Sequence, residues 1–257
     1  MATRSHETVV GGQFGAQAEA YLTSAVHAAG ADLQALAALA RGRSDARVLD
    51  LGCGGGHVTF AVAPQVREVV AYDLSPEMLA VVARTARERG LDNIAIAEGV
   101  AEHLPFADAG FDIVLSRYTA HHWHDFPAGL AEAARVLKPG GAAGFVDAVA
   151  PDSPLFDTYF QAIELLRDCS HVRDYAPAEW TATLGRAGLV PGRVSRYRVR
   201  LDFASWVARM RTPPVQVDAI RALQAAVSAE VTGYFETEPD GSFSIDVALF
   251  EASKPSS

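Results

Sequence analysis

The stretch Val48-Leu49-Asp50-Leu51-Gly52-Cys53-Gly54-Gly55-Gly56-His57 decides the fold. A short apolar run ends in an acid, passes through a glycine-rich turn and continues into His57-Val58-Thr59-Phe60-Ala61-Val62, which reads as the start of a helix. Glycines at 52, 54 and 56 let the backbone turn through positive φ and keep Cβ atoms away from a bound ligand. Strand, glycine turn and helix N-terminus in this order make a cradle for a cofactor, and two cofactor classes use it.

The acid separates the two. A dinucleotide rests its pyrophosphate on the helix N-terminus, where a carboxylate just ahead of the first glycine would repel it. S-adenosylmethionine carries an ammonium and a sulfonium instead, and Asp50 suits that positive end. The spelling Asp-x-Gly-x-Gly-x-Gly, filled by Asp50, Gly52, Gly54 and Gly56, resembles the first motif of Rossmann-like (class I) S-adenosylmethionine-dependent methyltransferases.

Downstream, Glu68-Val69-Val70-Ala71-Tyr72-Asp73 reads as a second strand ending in an acid. A carboxylate there can accept from both ribose hydroxyls, with charge-assisted bonds worth about 1.5–3 kcal/mol each. The competing role for Asp73, a helix cap, is already filled by Ser75 with Pro76 at the first helical position. The helix from Pro76 towards Arg89 stops at Gly90; Met78 or Leu79, one turn in, either flanks an adenine or packs in the core.

A third strand, Asn93 to Glu98, precedes Gly99-Val100-Ala101-Glu102-His103-Leu104-Pro105-Phe106-Ala107-Asp108 and the strand Phe111-Asp112-Ile113-Val114-Leu115-Ser116. Arg117-Tyr118-Thr119-Ala120-His121-His122-Trp123-His124 follows, and a helix opening at Asp125 or Phe126 is closed by Lys138-Pro139-Gly140-Gly141 before a strand from Ala142 to Val149. These blocks resemble the ubiquinone/menaquinone-biosynthesis-like, or type 11, methyltransferases, whose patterns run G-D-A-x-x-L-P-F, F-D-x-V, R-x-x-x-H-H and R-V-L-K-P-G-G. The matched blocks span about residues 14–150.

The resemblance implies an α/β fold: a Rossmann-like seven-stranded, mostly parallel sheet with an antiparallel C-terminal strand, helices on both faces, a helical N-terminal arm and lid insertions. It also implies S-adenosylmethionine as cofactor, with S-adenosylhomocysteine as product. The contacts it implies are Asp50, Gly52, Cys53 and Gly54 at the methionine end, Asp73 and Leu74 at the ribose, and Met78 beside the adenine. Val100, Ala101 and Glu102 border the adenine edge. Val100 departs from the pattern, because an Asp or Asn usually reaches the exocyclic amine from there; either Glu102 takes that bond or the backbone alone reads the base. Arg117 joins the cofactor side or, with Tyr118, holds substrate or buttresses the cleft. Tyr21 touches the methionine end or is a core residue of the arm.

The rest of the chain bounds the reading. With 257 residues, 49% hydrophobic and 21% charged, the composition is that of an ordinary globular protein, expected as a single methyltransferase domain over 1–257. Its parts are a helical arm (1–44), a cofactor-binding half (45–150) and a substrate-side half (151–257). A net charge of −9 argues against nucleic-acid partners, which need a basic face, and favours a small-molecule acceptor. Cys53 and Cys169 are the only cysteines; they make no disulfide framework, and the absence of a signal pattern or a long apolar stretch predicts a cytoplasmic protein without membrane insertion.

Within the arm, residues 1–12 are expected to fray, and Phe14, Ala18, Tyr21, Leu22, Ala25 and Ala29 form an apolar face at helical spacing. Gly30 interrupts it, and Asp32 is a candidate cap for a second helix. Beyond Pro151, helices are expected over Leu155–Leu166, Pro177–Ala187, Phe203–Met210 and Val217–Ala229, the last two as a lid. Arg193 to Arg200 alternates as a charged edge strand, and Phe243 to Leu249 alternates as the closing strand.

Methyl transfer from a sulfonium is an in-line displacement, so much of the acceleration can come from holding the acceptor about 3–3.5 Å from the methyl carbon. A base is needed only where the acceptor must lose a proton. His122, and after it His121, are the candidates, since an unperturbed histidine titrates at about 6.5. Adjacent histidines in one loop rarely converge on a metal, so none is expected. The rival readings are an S-adenosylmethionine-binding sensor or inactive partner subunit, and a nicotinamide oxidoreductase, against which Asp50 and the downstream blocks count.

Overall fold

The computed structural model describes residues 5–15 and 30–256. Tyr21 and most of the expected N-terminal apolar face lie outside the described residues. The frame is one seven-stranded sheet in the order β3-β2-β1-β4-β5-β7-β6. Its strands are β1 (Arg47–Leu51), β2 (Glu68–Asp73), β3 (Ile94–Glu98), β4 (Phe111–Arg117), β5 (Leu137–Ala148), β6 (Val190–Leu201) and β7 (Phe243–Ser253). The first five run parallel; β7 enters antiparallel between β5 and β6. This is the Rossmann-like methyltransferase arrangement expected from the motifs.

Successive side chains of a strand point to opposite faces, and the central strands are apolar on both. Val48, Ile113 and Leu115 join Leu36, Val62, Phe160 and Trp206 in the core on one face. Leu49 and Val114 join Leu130, Trp180 and Phe250 in the core on the other. The helices supply the cover: α2 (Ala31–Ala38), α3 (His57–Val62), α4 (Pro76–Glu88), α5 (Phe126–Val136), α6 (Pro154–Arg167) and α7 (Pro177–Arg186). On the substrate side, α8 (Phe203–Arg209), α9 (Pro214–Ala226) and α10 (Ala229–Tyr234) are rooted in the first core through Phe203, Trp206, Ile220 and Val231.

Several local expectations are corrected. Residues 1–12 are not frayed throughout: α1 occupies His6–Gly15. Ser5 starts it, accepting from the Thr8 amide at 3.3 Å, an N-cap signal outweighed in the sequence by Gly11 and Gly12. Asp32 does not cap α2, because Gly30 holds the N-cap position and Asp32 turns to Arg117. Lys138 to Gly141 is no turn outside the sheet but a bulge inside β5, set between the pairs Phe111–Leu137 and Ile113–Ala142. α9 begins at Pro214, where a proline suits the first turn, and a separate α10 follows it. The arginine row of β6 does lie at the sheet edge, and it is matched by acids: Arg198 meets Asp246 at 3.1 Å and Arg200 meets Glu238 at 2.5 Å.

One ion pair joins α2 to the cofactor end of the sheet. Arg117 Nε donates to Asp32 Oδ2 at 2.7 Å, with both side chains at least nine-tenths buried. Removing one member of such a pair strands a buried charge. Asp32→Ala should therefore lower the unfolding free energy by about 3–5 kcal/mol in urea titrations, and the apolar double variant D32L/R117M should recover much of the loss.

Candidate cofactor and acceptor site

The site begins where β1 ends beside β2 and β4. The Gly52 and Cys53 amides both donate to the Tyr72 carbonyl, at 2.8 and 2.9 Å, which ties the glycine turn to β2. Gly52 has φ +70, and a Cβ there would fall 2.3 Å from Thr119 Oγ1 and 2.7 Å from Thr119 Cβ. Only glycine fits. Gly54, at φ +49, has no atom within 4 Å of where its Cβ would stand; its bare backbone faces the cavity.

That cavity measures about 390 Å³, within the usual range for small-molecule sites. Asp73 stands in its wall, with Oδ2 accepting from the Gly54 amide at 2.8 Å and Oδ1 from the Ser75 amide at 2.9 Å. Each oxygen keeps a second lone pair for a ligand hydroxyl. Burial raises the Asp73 pKa, and the amide bonds oppose that rise. Asp50 is more enclosed: Oδ2 accepts from the Thr59 amide at 2.8 Å and from Thr59 Oγ1 at 2.5 Å. It thereby anchors the first turn of α3 while still touching the cavity. Burial pushes its pKa up to about 7, a carboxyl that a cation beside it would hold ionised.

Cys53, Leu74, Met78, Val100, Ala101, Glu102 and Arg117 all reach the same cavity. Burial pushes the Cys53 thiol well up, so its part is packing. Met78 packs with Val81 and Phe14. The Val100 carbonyl accepts from Tyr72 Oη at 3.0 Å, and Glu102 Oε1 accepts from the Asp125 amide at 3.0 Å, which commits one Glu102 oxygen to the start of α5. Arg117, paired with Asp32, also stacks on Tyr118, its guanidinium 4.8 Å from the ring centroid, the geometry of a buttress. The cradle fits S-adenosylmethionine: an open glycine turn, a carboxylate with spare lone pairs at the second strand, and a buried acid at the first.

Beyond Thr119 the cavity becomes polar, and here the two histidines part company. His121 Nδ1 donates to Asp147 Oδ1 at 2.6 Å. Burial opposes a charge on His121, but the Asp147 carboxylate, aided by Asp174 and Glu164, outweighs it and raises the pKa to about 9. His122 Nδ1 donates to the Ser170 carbonyl at 3.1 Å. Burial and the neighbouring His121 push its pKa down to about 3, against Asp168 and Asp147. Neither ring therefore sits near the ordinary value on which a role as neutral-pH base depends. His121 is an imidazolium and His122 a neutral ring.

Elements outside the motifs complete the walls. From α1 come His6, Glu7, Val10 and Phe14; from α6 and the loop after it come Glu164, Asp168 and Asp174. His6 Nε2 donates to the His122 carbonyl at 2.9 Å, Gln13 Nε2 donates to the Met210 carbonyl at 2.7 Å, and the Phe14 ring meets His122 edge-on at 4.9 Å. Phe14 alone among these follows a spacing rule, as an arm residue; nothing in the sequence singled out the others. His121, Asp147 and Asp174 place ligand-type atoms within 4.8 Å of one another. Asp147 Oδ1 already accepts from His121 Nδ1 and the Ala148 amide, and Oδ2 from the His121 amide.

The type 11 methyltransferase domain matches residues 49–145 of the chain. YafE of Escherichia coli, an uncharacterised protein, is 49% identical over 203 residues, or 79% of this chain and 98% of that one. YcgJ of Bacillus subtilis, an uncharacterised methyltransferase, is 38% identical over 78% of this chain and 79% of its own length. Its crystal structure superposes with a TM-score of 0.84 at 34% identity, covering 87% of this chain and 98% of that one. A putative methyltransferase structure from Bacillus halodurans gives 0.84 at 33% identity, covering 88% and 100%.

The split between the histidines fixes a pH dependence of stability. His121 keeps its proton up to about 9, whereas an unfolded histidine loses it near 6.5. Its contribution is complete below that value and lost as pH rises to about 9. His122 refuses a proton down to about 3, so its contribution is present above about 6.5 and lost as pH falls. Together they favour greatest stability near pH 6.5. In a histidine NMR titration one Hε1 signal should move near pH 9 and be absent in His121→Gln, while the His122 signal stays in its neutral position down to about pH 4.

Proposed function

Since the chain belongs to the type 11 methyltransferase family of class I S-adenosylmethionine-dependent methyltransferases, we propose that it methylates a small-molecule acceptor by in-line displacement. The observation that carries this reading is continuity: Asp73, the glycine turn and Ala101 line the same cavity as His121, His122, Asp168 and Asp174. A cradle for the methyl donor thus opens directly onto a polar chamber able to hold an acceptor.

The bound cofactor supplies an activated methyl group on a sulfonium. Everything else falls to the chain. Asp73, with Leu74 behind it, takes the ribose hydroxyls; Val100, Ala101 and Glu102 border the adenine, with Met78 against its face. Gly52, Cys53 and Gly54 would hold the methionine end beside Asp50, whose buried carboxyl a cation there would keep ionised. The walls would exclude water and hold the acceptor in line with the methyl donor, and positioning of this kind can supply much of the rate of such a displacement. His121, charged and held by Asp147, stabilises negative charge on an acceptor that has lost a proton; His122, neutral, orients it.

The remaining properties follow the same reading. Residues 1–257 act as a single domain. Among the described residues no helix is long and apolar enough to cross a membrane. Cys53 and Cys169 are free thiols, consistent with a reducing cytoplasm. The net charge of −9 disfavours nucleic acid as the acceptor.

Calorimetric titration with S-adenosylmethionine, S-adenosylhomocysteine and NAD tests the cofactor assignment. Both sulfur ligands should bind with micromolar affinity and NAD should not; binding of NAD alone overturns it. Asp73→Ala should stay folded and bind S-adenosylhomocysteine at least tenfold more weakly, the loss of one charge-assisted bond. Unchanged affinity in the folded variant removes Asp73 from the site.

A further inference from the structure

Asp174 lies in the loop after α6, outside the stretch that matches the methyltransferase domain. It is 2% exposed, yet its Oδ2 has no hydrogen-bond partner among the described residues. The neighbouring carboxylates are satisfied: Asp147 by His121, Asp168 by Ser170 at 2.6 Å, Glu164 by Arg167 at 3.2 Å. His171 Nε2 comes to 3.7 Å of Asp174, too far for a hydrogen bond, and is spent on Gln161 Oε1 at 3.0 Å. Leaving a buried carboxylate oxygen unmatched is costly. This one stands in the wall of the acceptor chamber.

Across from it is His121. Its Nδ1 is fixed by Asp147, so Nε2 is the nitrogen left for the chamber. A ring nitrogen of His121 and a carboxylate oxygen of Asp174 lie within 4.8 Å of each other, and Asp174 Oδ2 takes no hydrogen bond from the ring. One shared heavy atom can join groups this near, since two hydrogen bonds of about 2.8 Å meeting at a tetrahedral angle reach across about 4.6 Å. We propose that a hydroxyl of the acceptor occupies this gap, taking a hydrogen bond from His121 Nε2 and giving its own proton to Asp174 Oδ2. The proposal rests on the methyltransferase reading and gives it an acceptor class.

The partners select the group. An imidazolium N–H only donates, and Asp174 in its ionised form only accepts, so the occupant of the ionised site must accept once and donate once. A hydroxyl does both. An ammonium would point a hydrogen at a charged imidazolium, and a carboxylate or phosphate would set an anion against Asp174. The groups facing Asp174 are His121, Glu164, Asp147, Arg167 and His171; burial, with Glu164 and Asp147, raises its pKa well above the usual carboxylate range, against His121 and Arg167. Such a carboxylate is a competent proton acceptor in its ionised form. In the step, the O–H bond breaks and the proton passes to Asp174 Oδ2. The electron pair left on the acceptor, on oxygen or delocalised onto an adjoining carbon, forms the bond to the methyl group, and the pair of the old C–S bond returns to sulfur. Asp174 then yields its proton to solvent.

The test uses the full chain saturated with S-adenosylhomocysteine and three probes: para-nitrophenol, para-nitroanisole and para-nitrobenzylamine. The phenol should bind at least tenfold more tightly than its methyl ether and than the protonated amine. Its visible phenolate band should appear at least about one pH unit lower when bound than when free. His121→Gln should abolish that shift, and Asp174→Ala should remove the preference for phenol over ether, while S-adenosylhomocysteine affinity is retained, which a merely structural role would not produce. Equal affinity for phenol and ether, preference for the amine, no binding of the phenol, or an unaltered phenol preference in D174A overturns the proposal. Failure to bind S-adenosylhomocysteine at all would instead remove the methyltransferase reading beneath it. The comparison of phenol with ether is made on the unmodified protein, so it decides even if a variant misfolds.

Discussion

The structure depends on the close approach of Gly52 to Thr119. The ends of β1 and β4 are neighbours at the point where the strand order reverses, the place where open α/β sheets leave a crevice for ligands. At that point the glycine turn and the segment after β4 must pass each other with no room for a Cβ. Tyr118 adopts φ +54, unusual for a residue with a bulky side chain, and its amide is held by the Val146 carbonyl at 2.8 Å. Backbone strain of this kind persists where the surroundings over-determine it. Here it sends the chain back over the cavity and delivers His121 and His122 to the chamber.

Electrostatics then divides two residues that are adjacent and identical in type. His121 finds Asp147 on the neighbouring strand, and His122 finds a carbonyl and a charged neighbour. A pair of titratable groups driven apart by environment marks a division of labour. The cost is met by burial on both sides: the imidazolium is compensated by a carboxylate 1% exposed, and the neutral ring satisfies its N–H on Ser170. Carboxylates concentrate around this one cation although the whole molecule is already negative.

Much of this was legible from residues. Asp50, Gly52, Gly54 and Asp73 announced the cradle, because strand period, glycine and a strand-end acid are local properties. The seven-stranded sheet and its antiparallel insertion were implied by the family resemblance of the blocks, and the alternation after Phe243 marked the closing strand. What the sequence hid was long-range. Asp32 looked like a cap because capping is local; its partner Arg117 is 85 residues away. Asp174 belongs to no periodic element or motif, and it becomes notable only when its neighbours prove to be occupied. The histidines were visible as a pair, but what sets their protonation is Asp147, on another strand, and Ser170, in a distant loop.

α1 shows a different kind of dependence. It is ten residues long and contains Gly11 and Gly12, each of which disfavours helix by about 1 kcal/mol, and isolated helices of that length are marginal in water. What holds it are bonds such as those from His6 to the His122 carbonyl and from Gln13 to the Met210 carbonyl, with Phe14 seated against Met78 and Val81. It is therefore conditional structure, helical because it is docked, so that lifting it from the cavity and unwinding it are a single event. Because main-chain oxygens receive these bonds, side-chain drift at 122 or 210 leaves the receiving half of each tether in place, while drift at 6 or 13 dissolves it.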